Sequence, residues 1–315
     1  MANLQIGVIG CGGRGIRHLQ CLASFDDVDV AAVCDPLAAS LEQVGEEFGI
    51  AERFTSSEEL LDGVELDAVV VAPPAQLNAA AALPCLERGL DTLLEKPPGL
   101  NAEETKALRD AAALSGARGM VAWDRRFNPF ILEARRLVEE RGPIAQVVAE
   151  FHNSLTNMEA SQRFAEIILD NFMLETSSHA IDLVRSLGAC DIAEVHSVVQ
   201  RRYHDYRDVH AALVRFENGC VAQISANFTG AGRLERYEIH GRDISAYLEG
   251  VQGGEVVCDG ERHEIRGDGP SSLEAQDRFF IDCIKEGRAI ELPAANLDAA
   301  VKTMELCDAI RQASQ

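Results

Sequence analysis

The sequence predicts an α/β protein: a doubly wound parallel sheet first, then a second domain built on a mostly antiparallel sheet. Three observations carry this. Short β-branched runs alternate with Ala/Leu/Glu-rich helical stretches over the first 122 residues. A glycine-rich turn directly follows the first run. Beyond Arg126 the pattern changes to a helix and then a series of short strands with turn signals. Strands that alternate with helices imply parallel strands joined by right-handed crossovers. The 315 residues fit two domains at roughly 150 residues each. We place the division at 1–122 and 123–315, with the final helix able to pack back on the first domain.

The elements follow in order. Expected strands are Leu4–Gly10, Val28–Cys34, Ala68–Ala72, Thr92–Leu94 and Met120–Ala122. Continuous apolar runs such as Ala68–Ala72 suit a sheet covered on both faces. Between them, helical spacing predicts helices over Ile16–Ser24, Ala38–Phe48, Ser57–Leu61, Leu77–Arg88 and Ala102–Ser115. Asn101 caps the last of these, with Glu104 completing a capping box, and Gly89 stops the one before. In the second domain a helix (Phe130–Arg141) leads to a strand (Ala145–Phe151), an ambiguous polar stretch (Asn153–Asn171) and a helix near Leu174–Leu187. Turns at Glu217–Gly219, Gln252–Gly254 and Asp259–Gly260 divide the strands between Val195 and Ile265. Helices Ser272–Glu286 and Leu297–Ala313 end the chain.

Composition narrows the function. The net charge of −22 argues against nucleic acid or an anionic membrane as partner, because phosphate binding needs a basic face. No run of about 18 apolar residues predicts a membrane span, and Met1–Gly10 reads as a strand rather than an export signal. Nine unpatterned Cys read as reduced, mostly buried cytoplasmic thiols, and no ligand spacing for a metal is present. Only four residues are Lys, so a Lys at a chemically sensitive position stands out.

Gly10-Cys11-Gly12-Gly13-Arg14-Gly15 fits G-x-G-x-x-G and sits where a dinucleotide loop belongs, after a strand and opening a helix. Gly10 permits the tight turn, Gly12 lets backbone approach a pyrophosphate, and Gly15 allows close helix–strand contact. Asp35 ends the second strand, where an acid grips a ribose diol and repels a 2′-phosphate. Pro36–Ser40 offers no Arg to attract that phosphate, so NAD is expected over NADP. Lys96 follows the strand Thr92–Leu94, at the carboxyl end where ligands sit in such sheets. A Lys there donates to a substrate oxygen; the alternative is a surface Lys in a Pro-rich turn.

Together, Gly10–Gly15, Asp67–Pro74 (DAVVVAPP), Glu95–Pro97 (EKP), the RRFNP at Arg125–Pro129 and Glu175–Gly188 (ETSSHAIDLVRSLG) resemble the glucose–fructose oxidoreductase / inositol dehydrogenase / MocA family of sugar and polyol dehydrogenases. The resemblance spans essentially the full length. It implies a nicotinamide-binding Rossmann domain, a C-terminal domain whose open sheet builds homo-dimer or homo-tetramer contacts, a small-molecule substrate, and an often cis Lys-Pro bond at EKP.

At about 100° per residue, His179 lies about 40° from Glu175 and Asp182 about 20° the other way, which puts all three on one helix face. The resemblance makes His179 the base and Glu175 a substrate-binding or His-orienting acid, although the family usually has Asp at Glu175. It also assigns Arg14, Pro73, Asn78, Glu95 and Lys96 to the cofactor; Asn78 stands where a His is usual and cannot titrate near neutrality. Arg126, Asn153, Arg163 and Asp182 are candidates for the substrate side, Arg126 equally for bracing the domain junction. The remaining His, His18 among them, read as structural or exposed. The activity expected is NAD-dependent oxidation of a sugar, cyclitol or polyol hydroxyl. Oxidation-assisted glycosidic cleavage, other reductase chemistry and a non-catalytic NAD-binding regulator are the alternatives.

Overall fold

The computed structural model describes residues 3–250, 252–267 and 269–312. By contacts it divides into two compact units: Met1–Trp123 with Leu273–Val301, and Asp124–Ser272 with Lys302–Gln315.

In the first unit, β1 (Leu4–Ile9), α1 (Gly13–Leu22), β2 (Val28–Cys34), α2 (Ala38–Phe48), β3 (Glu52–Phe54), α3 (Ser57–Gly63), β4 (Ala68–Val71), α4 (Asn78–Glu87), β5 (Asp91–Leu94), α5 (Ala102–Ser115) and β6 (Gly119–Val121) alternate as expected of a doubly wound sheet. The strand order 6-5-4-1-2-3 is parallel throughout. Every residue of β4 and β5 is buried, as the apolar runs require of a sheet covered on both faces. At α5, Asn101 Oδ1 accepts the Glu104 N–H at 2.9 Å, and the Glu104 carboxylate reaches back to the Leu100 N–H at 2.8 Å. Gly89 follows α4 with φ +80°, a left-handed conformation that a side chain resists.

The second unit is built on α6 (Pro129–Arg141), β7 (Gln146–Ser154), α7 (Leu155–Ser161), α8 (Glu166–Asp170), α9 (Ser178–Gly188) and seven further strands: β8 (Ile192–Gln200), β9 (Val209–Phe216), β10 (Val221–Asn227), β11 (Thr229–Gly241), β12 (Ile244–Glu249), β13 (Gly253–Cys258) and β14 (Glu261–Ile265). Its eight-stranded sheet has the order 14-13-12-11-7-10-9-8 and is antiparallel except where β7 meets β10. Alternation puts Val147, Ala149 and Phe151 of β7 and Ala212, Val214 and Phe216 of β9 in the core; α9 covers β7 and β10, and α6 covers β11 and β12. Val198, Leu213 and Val221 stay exposed on the strands. The chain ends with α10 (Ser272–Glu286), β15 (Ala295–Asn296) and α11 (Leu297–Arg311). The expected end of the last helix, Ala313, lies outside the described residues.

Three readings change. Against the division 1–122 and 123–315, the contacts put Trp123 and the segment Leu273–Val301 with the first unit, where β15 pairs antiparallel with β6 as a seventh strand. The ambiguous stretch Asn153–Asn171 contains two short helices, α7 and α8. The helix expected near Leu174–Leu187 is not uniform, since Met173–Ser177 forms a π-helical turn before α9 starts.

Candidate active site

In the first unit the glycine turn closes β1 onto α1. Gly10 has φ +98°, and a Cβ there would lie 2.5 Å from the Ala72 carbonyl oxygen. A Cβ on Gly15 would lie 1.8 Å from the Gly10 carbonyl oxygen, so that helix–strand approach admits glycine alone. Gly12 and Gly13 are exposed, and a Cβ on either would meet nothing within 4 Å. No side chain caps the start of α1. The turn therefore offers open space and uncapped N–H donors, the fit a pyrophosphate needs. Asp35 holds this turn with one oxygen on the Cys11 N–H (2.8 Å) and the other on the Leu37 N–H (2.9 Å). A carboxylate has about four acceptor positions, so capacity for a ribose diol is left.

Past β5, Lys96 is half-buried and its bond to Pro97 is cis. The turn is held by its neighbours. Asn78 is fully buried, and its Nδ2 donates to the Glu95 carbonyl at 3.0 Å and the Pro97 carbonyl at 2.8 Å. Its Oδ1 has no hydrogen-bond partner among the described residues. Pro73 lies in the same stretch after β4, half-buried. The Glu95 side chain is 3% exposed and takes Arg14 Nε at 2.5 Å and His18 Nε2 at 3.2 Å, while the Lys96 N–H donates to it at 3.1 Å. Burial alone would raise the Glu95 pKa, but His18, Arg14 and Lys96 bring it down to about 2.

In the second unit a 3-10 turn, Asp124–Phe127, packs against α9. It delivers three consecutive charged side chains to three partners. Asp124 Oδ1 lies 3.4 Å from His179 Nδ1. Arg125 donates to Asp124 at 2.9 Å and to both oxygens of Glu235, at 2.5 and 3.0 Å. That pair holds the Glu235 carboxyl below its ordinary range against the opposing effect of burial. Arg126 binds Asp182 bidentately, 2.7 Å on each arm, and Thr303 Oγ1 donates to the same carboxylate at 2.9 Å. Arg126 and Asp182, both expected on the substrate side, are 4% and 0% exposed and form a buried bidentate ion pair.

Glu175 lies on the π-helical turn, half-buried. The angle of about 40° to His179 assumed an unbroken α-helix. A π turn takes more residues per turn and shifts Glu175 around the axis relative to α9. Such turns are frequent at functional sites. Asp124, 3.4 Å from His179 Nδ1, is a carboxylate that the sequence reading missed. Its signal was an acid immediately before Arg125-Arg126. Asn153, the last residue but one of β7, is half-buried, and Arg163 lies exposed beyond α7; neither belongs to the ion pairs around Asp124 and Asp182. Among the described residues no group of three or more His, Cys, Asp and Glu is placed to hold a metal.

Residues 4–123 match the model of an oxidoreductase family with an NAD-binding Rossmann fold, and residues 131–247 match the GFO/IDH/MocA C-terminal domain. The chain belongs to the Gfo/Idh/MocA oxidoreductase family. Among Gfo/Idh/MocA relatives, it is 27% identical over 260 residues to the scyllo-inositol 2-dehydrogenase (NAD(+)) of Bacillus subtilis, covering 80% of this chain and 72% of that one. It is 25% identical to the D-xylose 1-dehydrogenase (NADP(+)) 2 of Haloferax volcanii, covering 99% and 98%. Its fold matches the UDP-N-acetylglucosamine 3-dehydrogenase GnnA of Acidithiobacillus ferrooxidans, with a TM-score of 0.85 at 23% identity, covering 99% and 97%. The NAD-binding Rossmann assignment accounts for the glycine turn.

Proposed function

We propose that the protein is an NAD-dependent dehydrogenase that oxidises a hydroxyl of a sugar, cyclitol or related polyol. The observation that carries this is the uncapped glycine turn after β1 and the Glu95–Lys96–Pro97 turn after β5, at carboxyl ends of two parallel strands that flank β4 in one Gfo/Idh/MocA sheet. Gly10–Gly15 and the first turn of α1 hold the pyrophosphate, with Arg14 beside them, and Asp35 holds the ribose. Pro73, Asn78 and Glu95 shape the cofactor side. The nicotinamide, when bound, supplies the redox chemistry by accepting hydride from the hydroxyl-bearing carbon.

The chain's own residues handle the proton. His179, with Nδ1 toward Asp124, takes the hydroxyl proton at Nε2. Lys96 donates to the same oxygen as charge develops on it. Glu175 binds substrate or aligns His179. Arg126 and Asp182 brace α9 behind the base, and Asn153 and Arg163 border the substrate. Support for NAD over NADP is the Asp35 carboxylate with no Arg in Pro36–Ser40. The exposed apolar strand residues of the second unit support a homo-oligomer, and nine free cysteines support a reducing cytoplasmic compartment.

The test is a screen of polyols, sugar acids and aldoses with NAD and NADP, following absorbance of the reduced cofactor. Reduction of NAD by at least one polyol is expected. Cofactor binding with no reduction across the panel would overturn the reading, and tighter binding of NADP would overturn its cofactor half.

A further inference from the structure

His18 sits on α1 three residues past Gly15, fully buried on the stripe that also carries Leu19 and Leu22. Its Nδ1 lies 2.8 Å from Asp277 Oδ2 and its Nε2 3.2 Å from Glu95 Oε1. Asp277, on α10, is itself fully buried. An ionised carboxylate only accepts, so a ring bonded to carboxylates at both nitrogens must carry a proton on each. The ring is then an imidazolium. With the half-buried Arg14 on Glu95, two cations face two buried carboxylates and the charges of the four groups balance.

We propose that His18 and Asp277 are positioning residues for the reaction: the clamped imidazolium holds the Glu95 carboxylate, and through it the backbone that presents Lys96. This rests on the reading of Lys96 given under Proposed function. The linkage is short. Glu95 Oε2 accepts the N–H of Lys96 itself, and Asn78 holds the carbonyls of Glu95 and Pro97 from the other side. The turn is thus fixed at its side chain and its main chain. The α10 helix, more than 250 residues beyond the glycine turn, completes it through Asp277.

The groups facing the ring agree. Asp277 of α10 and Glu95 of the turn after β5 act on the ring itself; Arg14 of α1 and Lys96 act on Glu95, and Glu274 of α10 with Arg14 and Arg17 of α1 act on the nearby Cys21. Burial opposes the charge on His18, but Asp277 and Glu95 outweigh it and raise its pKa to about 9. Cys21, pushed by burial to about 12, stays a thiol throughout.

Two measurements test this. In the native protein, ring-nitrogen NMR of labelled histidine at pH 8 should show one imidazolium; a neutral His18 ring would overturn the proposal without any variant. In the second, His18→Gln and Asp277→Asn are compared in native and Lys96→Ala backgrounds with NAD and the polyol found by the screen. A displaced turn should lower turnover by about tenfold to a hundredfold in the native background. In the Lys96→Ala background the same changes should cost less than about twofold, because a positioning residue has nothing left to position. A well-folded His18→Gln with native turnover, or an equal loss in both backgrounds, overturns the proposal. Native turnover in Lys96→Ala alone is a different result: it sinks the reading of Lys96 and leaves the imidazolium signal standing.

Discussion

At the scale of single residues, chemistry follows from which nitrogen or oxygen each side chain presents. Lys96→Ala and His179→Ala should each lower turnover by about 10²-fold or more, with NAD affinity nearly unchanged. Neither group is needed for the pyrophosphate, which rests on Gly10–Gly15. If His179 is the base, oxidation should rise with pH through one ionisation, since only neutral imidazole accepts a proton. Near-native turnover and an unchanged pH profile in His179→Ala would place the base elsewhere. If Lys96 and His179 act on one hydroxyl, the double variant should lose less than the product of the single losses. Asp124→Asn should lower turnover while leaving substrate KM close to native, because the amide no longer stabilises a protonated ring. An unaffected Asp124→Asn would return the orienting role to Glu175.

Elements carry the next layer, and here close approach decides. The 1.8 Å between a Gly15 Cβ and the Gly10 carbonyl cannot be relieved by a rotamer, since both atoms are fixed to the backbone. Gly15→Ala should therefore push α1 off β1 and weaken NAD binding at least about tenfold by titration. Native affinity in that variant would contradict the turn's geometry. The cap of α5 gives a milder contrast. Asn101→Ala should lower stability by about 1 kcal/mol in denaturant unfolding and leave NAD binding intact, since the cap serves only its own helix.

For the molecule as a whole, the open strand face predicts assembly. Val198 and Leu213 are 57% and 51% exposed, a cost in water that pairing with a second copy removes. Light scattering at micromolar concentration should show a dimer or tetramer; a 34.2 kDa species alone would contradict this. Self-repulsion at a net charge of −22 should weaken assembly at low salt. Stability should also respond to alkali. His18 titrates near 6.5 when unfolded and at about 9 when folded. Its contribution is thus complete below 6.5 and lost as pH rises through about 9. Thermal midpoints should fall over that window in the native protein by more than in His18→Gln, and parallel curves would refute the linkage.

The alternating sheet, the glycine turn and the places of Asp35 and Lys96 just past strand ends were legible in the sequence because each depends on local order. Periodicity marks buried faces, glycine marks backbone that admits no side chain, and the end of a strand marks where a ligand sits. Several things were not legible. Asp277 reaches His18 across 259 positions, and Asp182 reaches Arg126 across 56. The π turn moved Glu175 relative to His179, while Asp124 supplied the carboxylate at Nδ1. The strand Ala295–Asn296 is too short for any periodicity and exists because β6 offers it a paired edge. Local spacing determines which residue types are available to the chemistry. Which buried charge answers which other charge is decided only on folding, when desolvation makes every unpaired ion costly and leaves one set of partners within reach.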